Sequence, residues 1–302
     1  MARSQSLSAC RSSGQRPGSW IAGLSAARLL HEAGRKVLVV SHELGGASRV
    51  PVALVNPVRG QRAAILPEAE EALEHAYCFY TRFAKVHPGV LRPVPEAERG
   101  VWEAKLRGRY SAYYWKKEGL YLPQAFWLES IPLLERLADG LELVPAKVEG
   151  LEGKTLWLED RQKVEAEVLV FAGGAEGARL VSLGGRFTAG SVLRVREWFA
   201  EARSYGGYLA GNVVGSSHLP DTNTYSEHRA TKGELEAIRR NGERLAGFRP
   251  TVTGHWSGVR YRVDRHYLKE LPGQGFALTG FGSAGFFYAP LYAERLLKRV
   301  GG

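Results

Sequence analysis

The first regular pattern along the chain has a helical period. In IAGLSAARLLHEAG (21–34), Ile21, Leu24, Ala27 and Leu30 recur at three-residue spacing, and Gly34 stands where a helix C-cap is expected. KVLVV (36–40) follows, an unbroken apolar run of the kind carried by a strand buried on both faces. Helix then buried strand is the second half of a βαβ unit. The first half needs an apolar strand ending in a glycine-rich turn, and SSGQRPGSW occupies its place. Residues 68–85 return to helical spacing, with Ala69, Ala72, Ala76, Phe79 and Phe83 along one side. GRYSAYYWKKEGLYLP (108–123) is aromatic and alternating, which predicts strands of a second layer. SIPLLERLADG predicts a helix stopped by Gly140, ELVPAKVEGLEGKTLWLED two strands joined by a turn, and EAEVLVFAGGA (165–175) a buried strand running into glycines. Strand-like segments return over 187–254, around a helix at 232–245. The end, GFALTGFGSAGFFYAPLYAERLLKRV, reads as strand, glycine-rich turn and helix.

Strand–glycine–helix units therefore stand at the beginning, middle and end, with antiparallel material between them. The pattern predicts an α/β protein (α+β, two-domain): a Rossmann-like nucleotide-binding domain interrupted by a mixed, antiparallel-sheet substrate domain. The boundaries read as 18–75, 130–185 and 255–302 for the first domain, and 76–129 and 186–254 for the second. Residues 1–17 hold three arginines, five serines and no acid, and are expected to be disordered or a non-native start.

Composition narrows the function. With 302 residues, 44% of them hydrophobic, the chain can bury a sizeable core. It has no run of eighteen apolar residues, so no membrane span is expected. Cys10 and Cys78 make no CxxC, so neither a disulfide framework nor a zinc site is expected, and a reducing cytoplasm fits. None of the eight histidines pairs at i, i+4, so no metal is assigned. Lysine and arginine (41) exceed aspartate and glutamate (31), giving +10. That balance suits either a polyanionic partner or an arginine-rich soluble surface.

Several motifs in fixed order carry a resemblance from about Gly18 to the C-terminus. They are GSWIAG (18–23), GGAS (45–48), LVFAGGA (169–175), HWSGVR (255–260) with Asp264, and TGFGSAGFFYAP (279–290). This order resembles the D-amino-acid-oxidase family of flavoproteins, which includes glycine and sarcosine oxidases. Within that family, GGAS followed by ALVNP (53–57), FYTRF (79–83) and the final turn and helix is similar to glycine oxidase and to the oxidase half of a bifunctional tRNA-modifying enzyme. The resemblance implies non-covalent FAD and oxidation of a C–N bond of an amine or amino acid. The substrate would be a glycine-like secondary amine, free or on tRNA, with oxygen as acceptor.

It also implies roles residue by residue. Gly18 and Gly23 take the first and third places of the pyrophosphate turn, with Trp20 in the central place. An indole there fills space the phosphates need, and each lost charge-assisted hydrogen bond costs roughly 1.5–3 kcal/mol. After KVLVV the family leads one to expect an acid for the ribose; Ser41 holds the nearest position and Glu43 follows. Gly45, Ala47 and Ser48 would wrap the pyrophosphate or ribityl chain, Val148 would meet adenine, and Ala172, Gly173 and Gly174 would let the dinucleotide approach. Gly280, Gly282, Ser283, Ala284 and Gly285 would place N–H groups at the flavin's O2 edge. Arg260 would clamp a substrate carboxylate, unless it pairs with Asp264. Tyr208, Tyr261 and Tyr288 are pocket candidates, and Trp256 is expected in the core. The alternative reading is a degenerate family member without FAD, acting as a binding or structural module. Trp20 and the absent first strand favour it.

Overall fold

The computed structural model describes residues 21–42, 46–181, 183–264 and 266–301. Gly18, Trp20, Glu43 and Gly45, all expected at the nucleotide, lie outside them. The first part of the chain runs α1 (Ile21–Glu32), β1 (Leu38–Val40), β2 (Val52–Val55), β3 (Val58–Arg59), β4 (Ala64–Ile65), α2 (Ala69–Tyr80), β5 (His87–Arg92) and α3 (Arg99–Leu106). The middle continues with β6 (Tyr114–Lys116), β7 (Gly119–Glu129), α4 (Ser130–Ala138), β8 (Glu142–Val144), β9 (Val148–Glu152), β10 (Thr155–Leu158), β11 (Lys163–Glu165), β12 (Leu169–Phe171) and α5 (Gly174–Gly177). Then follow β13 (Arg186–Ser204), β14 (Tyr208–Gly215), α6 (Lys232–Ala246), β15 (Val252–Arg262), β16 (Leu268–Leu271), β17 (Gly275–Leu278) and α7 (Gly285–Gly301).

Parallel pairing occurs in two of the smaller sheets and once, between β13 and β5, in the large one. β1 lies parallel to β8, and β12 lies parallel to β17, whose other edge pairs antiparallel with β16. A larger sheet in the order β14-β13-β5-β7-β2, joined by β15 on β13 and β6 on β7, forms the second layer. That sheet draws β2 and the whole of β15's pairing length from both sides of the boundaries read in the sequence. Short apolar strands do not reveal which sheet they join, because pairing is decided by tertiary register.

Local chemistry explains the element ends. Leu133, Leu134 and Leu137 form the buried stripe of α4, each worth roughly 1.5–3 kcal/mol of burial. The last carbonyls of that helix are met by Arg28 of α1, whose Nη2 donates to Leu137 O at 2.7 Å. A cation there also suits the negative end of the helix dipole. α6 begins with a capping box, in which Thr231 and Glu234 satisfy each other's backbone N–H groups. The final helix starts at Gly285, five residues before the PLYAERLLKRV segment, and carries Pro290 inside it. Three strands rather than two fill 142–158, because Pro145 breaks the ladder between β8 and β9. In the core, Trp127 is fully buried; its indole N–H donates to Ala200 O at 3.2 Å, and the His87 ring stacks on it at 3.9 Å.

Gly119, at the start of β7, has φ +139°, and a Cβ there would collide with the Arg92 carbonyl and the Pro93–Val94 backbone. Gly119→Ala is therefore expected to lower stability by about 1–3 kcal/mol. Gly100→Ala, inside α3 with open space around it, should be neutral or slightly stabilising. Thermal midpoints measured side by side check this contrast, and equal midpoints for the two variants would count against it.

Candidate active site

One cavity of about 560 Å³ sits where the parallel strands and the large sheet meet, within the range of small-molecule and cofactor sites. At one end it is walled by the first turns of two helices: Ile21 and Ala22 of α1, and Gly285, Phe286 and Phe287 of α7. Helix first turns present N–H groups that have no partner within the helix, together with the positive end of the dipole. Small residues line the space between: Ala47, Ala172, Gly174, Gly280 and Gly282. The buried Ser48 hydroxyl accepts from Ile21 N–H at 3.1 Å, so it fixes the start of α1 while lining the cavity. Gly280 and Gly282 both have positive φ, a conformation that glycine adopts without strain.

The structure thus gathers Ala47, Ser48, Ala172, Gly174, Gly280, Gly282, Ser283, Gly285, Tyr208, Tyr261 and Arg260 around one space. Gly23, Val148, Gly173, Ala284 and Tyr288 do not line it. Gly23 lies one residue further into α1 than the lining Ala22. The Val148 carbonyl accepts from Arg179, and Val148 sits in the separate β9–β10–β11 sheet. Gly173 packs against Gly177 across the turn into α5, and Ala284 is buried in the core. Tyr288 is a correction to the expected pocket set. It is 1% exposed, its hydroxyl donates to Pro67 O at 2.8 Å, and its ring packs with Tyr267 and Phe281. Trp256 packs against the core, as expected, and also lines the cavity, because β15 turns Trp256, Gly258 and Arg260 to one face by alternation.

Arg260 is not paired with Asp264; its Nη2 donates to Ser217 O at 3.4 Å. The close approach needs Gly190, since a Cβ there would collide with both the Ser217 carbonyl and the Arg260 guanidinium. Ser217 is fixed in turn: its hydroxyl meets Glu234, which also holds His228 Nε2 at 3.0 Å. Burial acts to raise the Glu234 carboxyl, but hydrogen bonds from Ser217, Ser191 and His228 outweigh it and hold it below its ordinary value. Asp221, the carboxylate whose field reaches Arg260, is engaged by Arg262 at 2.8 Å and by Thr188.

Two further arginines on the wall were not singled out in the sequence. Arg59, at the end of β3, donates through Nε to Asn56 O at 3.0 Å and through Nη2 to Ser283 O at 3.3 Å. Burial, and then the charge of Arg260, pushes its guanidinium down to about 10, with Tyr288 acting the other way. Arg92 is 1% exposed, lies over Trp102 at 5.1 Å and donates to Val58 O at 2.8 Å and to Gly60 O. Burial first, then Arg59, pushes it down to about 9, so both remain charged at neutral pH. Arg92 had a legible signal, a lone charge inside the apolar run GVLRPV. Arg59 had none beyond its place after ALVNP. His218, also on the wall, sits 3.3 Å from the Ser216 hydroxyl. Loss of solvation, then the charges of Arg260 and Arg59, pushes its imidazole down to about 4, although its outer face is exposed.

Comparison with known proteins agrees with this geometry. A profile of the DAO family, described as FAD-dependent oxidoreductases, matches residues 18–299. The chain belongs to that family. It is 30% identical to the tRNA 5-methylaminomethyl-2-thiouridine biosynthesis bifunctional protein MnmC of Caulobacter vibrioides, over 94% of this chain and 53% of that protein. MnmC of Maricaulis maris is 29% identical over 93% of this chain and 51% of that protein. The chain spans about half the length of these curated relatives. Its fold is shared with iminodiacetate oxidase from Chelativorans sp. BNC1 (TM-score 0.78, 16% identity, 94% of each chain). It is also shared with glycine oxidase from Bacillus cereus ATCC 14579 (TM-score 0.78, 17% identity, 94% of this chain and 96% of that one). The mixed α/β fold with several sheets is thus the DAO-family fold.

His218 gives a pH prediction whose sign is fixed by linkage. The unfolded chain takes up a proton below about 6.5, whereas the folded imidazole stays neutral until about 4. Stability is therefore lost as pH falls through that window. Denaturant unfolding of the wild type and of His218→Gln at about pH 7 and about pH 4.5 checks it. The wild type should lose more stability than the variant, and parallel losses would contradict the assigned environment.

Proposed function

We propose that this chain oxidises the C–N bond of a carboxylate-bearing amine, using non-covalently bound FAD. The observation that carries the reading is the convergence of two helix first turns, a collar of glycines and alanines, and Arg260 on one cavity. The donor set fits a dinucleotide. Ile21 and Ala22 would meet the pyrophosphate, with Ala47 and Ser48 beside it, and the 280–285 turn would meet the ring. Gly18, Gly23, Glu43, Gly45, Val148, Gly173 and Ala284 remain part of this proposal as family positions.

When bound, FAD supplies a two-electron acceptor for the hydride on the amine's α-carbon. The chain's own residues bind and orient. Arg260 offers a guanidinium for bidentate contact with a carboxylate, and the Ser217–Glu234–His228 network holds the backbone carbonyl that aims it. Tyr208 keeps its hydroxyl on Val52 O at 3.2 Å; burial raises it above its ordinary value, so it stays neutral and serves as a wall. His218, neutral at physiological pH, adds no charge that would compete for the carboxylate. Oxidation of the amine removes a hydride from carbon and a proton from nitrogen. Water then cleaves the imine to a carbonyl compound and an amine. Oxygen is the proposed final acceptor.

A tRNA-borne substrate is the second reading, favoured by the net charge of +10 and by the MnmC relatives. The FAD-free alternative is favoured by Trp20 at the central glycine position and by SSGQRPGSW in place of the expected first strand. Reconstitution with FAD, followed by its visible absorption bands after desalting, separates the last of these. Retained bands, and their bleaching by a glycine-like secondary amine, are expected. Arg260→Gln should lower kcat/KM by about tenfold to a hundredfold, the loss of one charge-assisted contact. A colourless protein after refolding with FAD would contradict the oxidase reading. Salt-sensitive tRNA binding would select the second reading over a free substrate.

A further inference from the structure

The cavity wall carries more positive charge than one carboxylate can answer. Arg59, Arg92 and Arg260 all line it, and among the described residues no aspartate, glutamate or lysine does. Among the described residues, the three guanidinium groups donate to backbone carbonyls and one hydroxyl: Asn56, Ser283, Val58, Gly60, Ser217 and the Ser204 side chain. Such groups satisfy hydrogen bonds but leave the net charge in place, and the one carboxylate whose field reaches Arg260, Asp221, is itself engaged by Arg262. A desolvated charge without a counter-charge is costly, and a cleft of one sign concentrates ions of the other.

The three arginines are not equivalent. Arg92 is a positioning residue: its two terminal nitrogens hold the carbonyls on either side of Arg59, and its buried Nε has no partner. Arg59 is half-buried and lines the cavity, with its guanidinium held by Asn56 O at 3.0 Å and Ser283 O at 3.3 Å. Arg260 lies close enough for its charge to be felt at Arg59, and both are felt at His218. His218 is neutral, so it does not relieve them.

We propose that Arg59 forms a second anion subsite, so that the substrate is an amine bearing two anionic groups, in the simplest case two carboxylates. One would bind Arg260 and the other Arg59. This rests on the oxidase reading for its chemistry, but the subsite itself is a property of the wall.

The test uses non-oxidisable probes on the full chain loaded with FAD, with loading recorded by absorbance. Calorimetric titration compares succinate with butyrate, which has the same chain length and one carboxylate. The wild type should bind succinate about tenfold more tightly or better, the worth of one further charged contact. Arg59→Gln should abolish the preference while leaving butyrate unchanged. Arg59→Lys should restore part of it, and Arg260→Gln should weaken both probes. A thermal midpoint for each variant establishes folding, and the lysine variant carries the test should the glutamine variant unfold. Equal affinities in the wild type, or a preference that survives Arg59→Gln, would overturn the subsite. So would Arg59→Gln losing FAD while keeping the preference, which assigns Arg59 to the cofactor. Amine oxidation without the preference removes the subsite and spares the oxidase reading. An Arg59-dependent preference in a chain that takes up no FAD does the reverse.

Discussion

Unneutralised guanidinium charge around one cavity is the constraint on which the rest of the site depends. A buried arginine is held by the acceptors its donors reach, and here carbonyl oxygens supply them to each of the three, with Arg92 Nε left unmet. Those carbonyls must then be held rigidly. Asn56 closes its own turn through Oδ1 onto Val58 N–H at 3.0 Å, and Arg92 clamps the same turn from beneath. On the far wall, the capping box of α6 fixes Glu234, Glu234 fixes Ser217, and Ser217 fixes Arg260. The scaffold therefore serves electrostatics as much as packing, holding charges in place that attract an anion.

The same logic links the two layers of the fold. The helix first turns and glycine collar come from segments with parallel strands, which present helix N-termini on one side of a sheet. Arg92 and Arg260 come from the large sheet, and Arg59 from the separate β3–β4 pair that follows β2. Arg59 ties them together by reaching Ser283 across 224 positions of sequence. A dinucleotide lying along the first set would bring its reactive end beside the second.

Much of this was legible in the sequence, for identifiable reasons. Glycine-bearing turns and alternating strands such as HWSGVR leave local signatures, so Arg260, Gly280 and Gly282 could be named from the chain alone. Tyr288 was misplaced because a tyrosine in a helix looks the same whether it faces a pocket or, as here, donates to a distant carbonyl. Trp256 packs against the core as expected and also lines the cavity, which alternation alone does not reveal, since it gives two faces without saying which borders a void. Arg59 was missed because its role arises from Asn56, Ser283 and Arg92, contacts that no local spacing encodes. The assignment of β2 and β15 to the large sheet was likewise a matter of tertiary pairing.

The most direct measurement is an experimental electron-density map of the protein crystallised with FAD and a carboxylate inhibitor. The account predicts the flavin ring beside the 280–285 turn and a carboxylate within hydrogen-bond reach of the Arg260 guanidinium. A cavity closed by side chains, or an inhibitor bound away from Arg260, would contradict it.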